Sequence, residues 1–340
     1  MMTPRHGFGV SVFRVSVGFS VLFGLAVYAG ANPIEEIAYA ARPAPGIDAV
    51  ISVGPRNMPQ LIGPDVRALA AFTGGAVAVP DAASLRDEYR RLGYNLADIR
   101  GDIAGVPRVF LTQLPKDMPS IQSVPDRKSL FIRSLLPLVL RANEEILVDR
   151  ARIEVLRDRL ATGQTLSPRN AAWLDRLSAS YGLAPRDFTG LLRRHDVVPV
   201  GLALAQGIEE SGWGTSRFAL HGNAVFGQWT FREGSGIVPL EREDGARHEV
   251  KSFRSLHESV RQYARNLNTH RAYREFRHQR ANLRKNDQPI DSVVLAKTMT
   301  RYSERGAAYV TGILNLIESN KLDALDGARL GAVTATAIES

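Results

Sequence analysis

Two adjacent acids, Glu209 and Glu210, stand in GIEESGWGTSRFALHGNAVFGQWTF, residues 207–231, just before a Ser-Gly-Trp-Gly turn. A carboxyl can act as the general acid of a glycosidase only if its surroundings hold a proton on it near neutrality. The apolar pattern from Val200 onward predicts a helix over 200–211, with Val200, Ala203, Leu204, Gly207, Ile208 and Ser211 on one side. At ~100° per residue, Glu209 then points about 150° from the centre of that side, toward water, and Glu210 lies about 110° off, at the apolar margin. A carboxyl at that margin, near a helix C-terminus whose dipole disfavours negative charge, should carry a raised pKa. Glu210 is the candidate acid and Glu209 its solvated neighbour.

The residues that follow suit a sugar. Trp213 and Trp229 offer indole faces for pyranose rings, Phe226 an apolar wall and Asn223 an amide for acetamido or hydroxyl groups. The competing expectation for each is structural, with the aromatics in the core and Asn223 in a turn. Gly212 and Gly214 can take the left-handed backbone that ends a helix and turns the chain.

The elements that position these residues read mainly as helices. SLRDEYRRLGYNLADIRG gives short helices closed by glycines, and VPRVFLTQLP an extended segment. Residues 128–164 form the longest helical pattern, with Pro137 expected to kink or split it. SPRNAAWLDRLSASYGL and APRDFTGLLRRHD follow as helices. EREDGARHEVKSF, with Asp244-Gly245 at its centre, predicts a β-hairpin, and residues 255–279 and 288–321 return to helical spacing. The expected fold class is mainly α (α+β), with one small β-lobe.

The chain has 340 residues, of which 44% are hydrophobic and 23% charged, a composition able to bury a core. Its formal net charge of +8 favours an anionic partner. No cysteine is present, which excludes disulfides, thiolate zinc sites, cysteine nucleophiles and lipidation of an N-terminal cysteine. The seven histidines form no H-E-x-x-H or similar cluster, and no phosphate-cradling glycine loop appears, so neither metal nor cofactor is expected.

The N-terminus joins Arg5 and Arg14 to an uncharged stretch from Val15 to Ala31, ending Ala29-Gly30-Ala31. That is the pattern of an export signal cleaved after residue 31, with an uncleaved inner-membrane anchor through residues 15–31 as the alternative. Either places the rest of the chain in the periplasm or cell envelope. The expected organisation is a signal at 1–31, a linker at 32–63, a mainly helical region at 64–195, a globular domain at 196–322 and a flexible tail at 323–340.

ALAQGIEESGWGTSRFALHGNAVFGQWTF resembles the signature of the glucosaminidase domain of glycoside hydrolase family seventy-three. DRKSLFIRSLLPLVLRANEEIL and TMTRYSERGAAYV extend the likeness, over roughly residues 105–320, to the Bax-like bacterial proteins, in which this domain follows a signal peptide and a helical region. The resemblance implies a lysozyme-like domain in which a helical lobe and a small β-lobe flank a glycan groove. It implies hydrolysis of the β-1,4 bond after N-acetylglucosamine in peptidoglycan, and it places the catalytic acid on Glu210. A second carboxylate is expected on the hairpin, where Glu241, Glu243, Asp244 and Glu249 are available and Glu241 or Glu243 matches best. Tyr302 matches a family tyrosine near the groove, and Asn223 and Phe226 match the element lining it.

The basic run of residues 247–285, from Arg247 to Lys285, fits attraction to the peptide carboxylates of peptidoglycan. No nucleic-acid-binding signature accompanies it, so no nucleic-acid partner is expected. Other readings of the same residues are an inactive wall-binding scaffold, a lytic transglycosylase and an amidase on the same polymer.

Overall fold

The computed structural model describes residues 76–77, 79–239, 242 and 247–332. The expected signal, anchor and linker segments lie outside these residues, as do Glu241, Glu243 and Asp244.

A two-residue strand β1 (Ala76–Val77) pairs in parallel with β2 (Phe110–Leu111), and between them run helices α1 (Ala82–Arg91) and α2 (Leu96–Arg100). The long helix α3 (Val124–Ala161) starts where the Ser123 hydroxyl accepts from the Asp126 N–H, with a proline in its first turn. Helix α4 (Pro168–Ser180) repeats this arrangement with Ser167, and α5 (Phe188–Arg194) is capped by Asp187. Then come α6 (Val200–Ser211) and α7 (Arg217–Gly222), the strands β3 (Trp229–Thr230), β4 (Gly236–Ile237) and β5 (Glu249–Lys251), and the helices α8 (Leu256–Thr269), α9 (Arg274–Lys285), α10 (Ser292–Ala296) and α11 (Ala307–Ser319). The chain is mainly helical with one small antiparallel sheet, the α+β class expected.

Pro137 does not split α3, which runs unbroken through it. An internal proline costs ~3 kcal/mol. Here Leu135, Leu136, Leu138 and Val139 on successive faces are all buried, and fully burying such side chains contributes ~1.5–3 kcal/mol each. Packing outweighs the lost hydrogen bond.

Helix α6 also differs from its expected one-sided form, because Val200 to Ile208 are buried without interruption. Helices α3, α10 and α11 and the 3-10 turn Asp323–Leu325 surround it. Gly207 is needed for this approach: a Cβ there would lie 2.7 Å from Leu135 Cδ2 of α3. No side chain of its own caps α6. Its orphan N–H groups are taken instead by residues far along the chain, with Gly201 N–H donating to Asp326 (2.9 Å) and Leu202 N–H to the Ser292 hydroxyl (2.8 Å).

That arrangement corrects the tail. Residues 323–332, expected to be flexible, pack on the body: Leu325 is buried, Asp326 caps α6, and Gly331 N–H donates to the Val106 carbonyl (2.8 Å). Weak hydrophobic periodicity hid them, because their hold is mostly polar. One hydrophobic core, from Ala82 to Leu325, runs across the expected boundary at 195/196. A satellite cluster joins the end of α3 to α4 and α5.

The sheet has the order β3-β5-β4, with Trp229 opposite Val250 and Ile237 opposite Val250 on the other edge. The described partners of β5 are thus upstream strands, whereas the expected hairpin turn at Asp244-Gly245 lies outside the described residues.

Candidate functional site

Helix α6 ends in a turn built by the residues of the Ser-Gly-Trp-Gly-Thr-Ser run. Gly212 takes the left-handed conformation (φ 56°), and the Trp213 N–H returns to the Ile208 carbonyl at 3.3 Å. Ser211 Oγ donates to the Gly207 carbonyl and accepts from the Gly214 N–H (2.9 Å). Thr215 Oγ1 donates to the Gly212 carbonyl (2.7 Å), and Ser216 caps α7. Trp213 itself sits at φ 61°, a left-handed backbone that costs a bulky residue ~1–3 kcal/mol. The hydroxyls of Ser211 and Thr215 therefore serve to fix the end of α6, and Glu210 with it.

Glu210 is half-buried at that end. Its Oε1 accepts from the Tyr309 hydroxyl at 3.1 Å. Tyr309 in turn accepts from Gln206 Nε2 (3.0 Å), and Gln206 Oε1 accepts from the Tyr263 hydroxyl (2.7 Å). The four side chains form one relay, Tyr263 to Gln206 to Tyr309 to Glu210, in which each donor has one direction to point. Gln206 and Glu210 are four residues apart and share a face of α6. The aromatic wall continues with Phe226 stacked on Tyr263 (4.0 Å), Tyr302 stacked on Tyr309 (5.4 Å) and Tyr273 beside Tyr302 (5.8 Å). Gly227 lies against the other oxygen, since a Cβ there would be 3.7 Å from Glu210 Oε2.

Burial pushes the Glu210 carboxyl up to about 7, and the neighbouring charge of Glu209 adds to the rise. The Tyr309 hydrogen bond and Arg305 pull the other way without overcoming burial. Burial also pushes the Tyr309 hydroxyl well above its usual range, so it stays a donor. With Oε1 engaged as an acceptor, the acidic proton of Glu210 belongs on Oε2, the oxygen beside Gly227.

Glu209 departs from expectation. It is not aimed at open water but forms an ion pair with Arg305 at 2.6 Å, with 28% of its side chain exposed. The end of α6 is enclosed by α11 and the loop before it, so a reading by helical phase alone overstated the difference between the two acids.

The other expected residues divide. Phe226 and Tyr302 join the aromatic wall around Glu210. Trp213 packs edge-on against Phe131 (6.2 Å), with Lys128 Nζ 4.7 Å over its ring. Asn223 is a left-handed cap of α7, and its Nδ2 donates to the Phe253 carbonyl (3.0 Å), which is the turn role. Trp229 belongs to the β-lobe, stacked on His248 at 4.2 Å. Glu249 holds the sheet, its two oxygens accepting from the Gly234 (3.0 Å) and Gly236 (2.8 Å) N–H groups.

Sequence reasoning missed Gln206, Tyr263, Tyr273, Arg305 and Tyr309. A signal for Gln206 was present, since it is the one polar residue in the apolar run GLALAQGI. Tyr309 lies in the same RYSERGAAYV stretch as Tyr302, seven residues on, and only the fold separates the ring that stacks from the hydroxyl that bonds.

The basic run 247–285 is not one solvated face. Arg277 and Arg280 are buried, Arg280 and Arg284 pair with Asp196, and Arg261 pairs with Glu145. Among the described residues no three His, Asp or Glu side chains gather as a metal site, and no helix is long and apolar enough to cross a membrane.

Residues 186–322 match the glucosaminidase family described as mannosyl-glycoprotein endo-beta-N-acetylglucosaminidase. The chain is 30% identical over 213 residues to protein bax of Escherichia coli (strain K12), covering 60% of this chain and 74% of that protein. No solved structure matches it. With a half-buried carboxyl at the end of α6 inside a domain matched to the glucosaminidases, and with its likeness to protein bax, this chain belongs to the Bax family of bacterial glucosaminidase-domain proteins.

Proposed function

We propose that the protein is an endo-β-N-acetylglucosaminidase of peptidoglycan, exported to the cell envelope, with Glu210 as its general acid. The observation that carries this reading is the Glu210 carboxyl, raised to about 7 by burial and tied at Oε1 to Tyr309. A glycosidic bond breaks when its leaving oxygen is protonated as the ring gains oxocarbenium character. Glu210 Oε2 delivers that proton, and the relay through Tyr309, Gln206 and Tyr263 keeps the carboxyl from rotating. Proton transfer from a positioned acid contributes ~10²–10⁴-fold.

The partner carboxylate is Glu241 or Glu243. Glu249 is unsuited, because both its oxygens are engaged by backbone N–H groups of the sheet. Inverting enzymes hold the two carboxyls ~6.5–9.5 Å apart to admit water, and that is the separation from Glu210 that this reading requires of Glu241 or Glu243. Tyr302 and Trp229, both partly exposed, supply apolar faces for sugar rings on the two sides, while Phe226, 3% exposed, stacks on Tyr263 behind them.

Mass spectrometry of products from purified peptidoglycan tests the reaction class. N-acetylglucosamine at the new reducing ends is the expected product. An anhydro sugar would replace this reading with a transglycosylase, freed peptides with an amidase, and sedimentation with the wall without any product with a scaffold.

A further inference from the structure

A second groove, of about 1140 Å³, lies on the N-terminal helices between α1, the first turns of α3 and the chain just after α11. Six cations line it, Arg86, Arg90, Arg100, Lys128, Arg133 and Lys321, against the three acids Asp87, Asp98 and Asp126. Arg90 is paired with Asp87 (2.8 Å) and Arg86 with Asp126 (3.6 Å). Arg133 and Arg100 have hydrogen bonds only to backbone carbonyls, of Tyr94 and Ser129 for the first and of Asn320 and Lys321 for the second. The guanidinium of Arg133 is further held over the Tyr89 ring at 5.1 Å. Its position is thus fixed by neutral partners, and the nearest acid acting on it, Asp126, is paired with Arg86.

One residue links this groove to the candidate active site. Lys128 lines the groove and also sits over Trp213, three residues beyond Glu210 in the turn that ends α6. A polymer threading past Glu210 would bring its side branches to Lys128. The mixture of signs selects among anionic ligands: a polyphosphate would meet Asp87, Asp98 and Asp126 as repulsion, whereas a short peptide with carboxylates and a free amine can use both signs.

We propose that this groove is an accessory subsite for the peptide branches of peptidoglycan, with Arg133, Lys128 and Lys321 receiving their carboxylates. The proposal rests on the assignment of peptidoglycan as the polymer. Its consequence is a preference for peptide-bearing strands over bare glycan, exerted chiefly by Arg133 and Lys128, which lie outside the residues that match the glucosaminidase family.

The test is equilibrium binding to the full-length Glu210→Gln protein of two soluble fragments, a peptide-bearing peptidoglycan oligosaccharide and the same glycan stripped of peptide by an amidase. The peptide-bearing fragment should bind about tenfold more tightly, a difference of ~1.4 kcal/mol, and the advantage should shrink as salt rises. Arg133→Gln should remove it with little change for the stripped glycan. Lys321→Gln, at an exposed position, makes the same prediction with a smaller effect if the Arg133 variant folds poorly. Equal affinities for the two fragments, or variants that weaken both alike, would overturn the proposal, as would tighter binding of a polyphosphate than of the peptide-bearing fragment. Residual cleavage by Glu210→Gln would instead strike the assignment of the acid and leave the binding comparison intact.

Discussion

Two carboxylates in this molecule have left water for opposite ends. Asp196, at the junction of α5 and α6, is 1% exposed and faces three arginines: Arg284 in a two-pronged bond at 2.6 Å, Arg150 at 3.5 Å and Arg280 at 3.7 Å. Burial alone would raise its pKa, but these cations outweigh burial and hold the carboxyl below its usual range. Glu210 has one neutral donor, Tyr309, and a cation, Arg305, already paired with Glu209. Burial wins there, and the carboxyl rises to about 7. The difference separates an acid that locks helices together from one that can hold and release a proton. It also locates the cost of the site in stability: the fold keeps Asp196 charged and Glu210 short of partners.

Breaking the comparison at Asp196 should have the largest effect. Asp196→Ala leaves Arg280, which is fully buried, without its counter-charge, and removing one partner of a buried pair costs ~3–5 kcal/mol. Denaturant melts at neutral pH should show that loss, and a variant as stable as the wild type would mean the cluster is not structural.

Glu210→Gln should move stability the other way. The folded-state pKa of Glu210 lies above the unfolded value of ~4.3, so the folded protein binds the extra proton and its stability falls as pH rises between those values. The penalty is complete about one unit above pH 7 and amounts to about 4 kcal/mol. The Gln variant lacks it, so its advantage in Tm over the wild type should be absent at pH 4 and grow toward pH 8. A constant difference across that range would contradict the raised pKa.

Smaller effects sharpen the account. Tyr309→Phe removes the hydrogen bond that lowers the Glu210 pKa, so the alkaline limb of the pH–rate profile should shift to higher pH, with a stability loss of ~1 kcal/mol. Arg305→Gln breaks a partly exposed ion pair and should cost no more than ~1 kcal/mol. Its influence on the pH profile should have the same sign as that of Tyr309→Phe, because Arg305 also lowers the Glu210 pKa.

Much of the helical frame was legible in the sequence because caps and prolines mark it locally. Helix α6 was bounded correctly from 200 to 211, and Ser167-Pro168 announced α4. What escaped was decided at long range. Pro137 is tolerated because the core surrounds α3, and residues 323–332 order because Asp326 reaches back to the start of α6. At the site, the local motif led to Glu210, but the tyrosine that bonds it comes from α11, about a hundred residues later. The basic run looked like a surface because charge in a sequence gives no sign of the buried acid that waits for it. Asp196 is a single aspartate between a histidine and a valine, and only the fold brings three arginines to it.

The central claim is that Glu210 donates the proton. Reducing-end release from purified peptidoglycan, measured for the wild type and Glu210→Gln between pH 4 and 9 alongside wall sedimentation, tests it most directly. The account predicts wild-type activity that falls away as pH rises through about 7, and a Gln variant that still sediments with the wall but is slower by ~10²–10⁴-fold below that pH, the gap narrowing above it as the wild type loses its proton. A Gln variant as active as the wild type would contradict it.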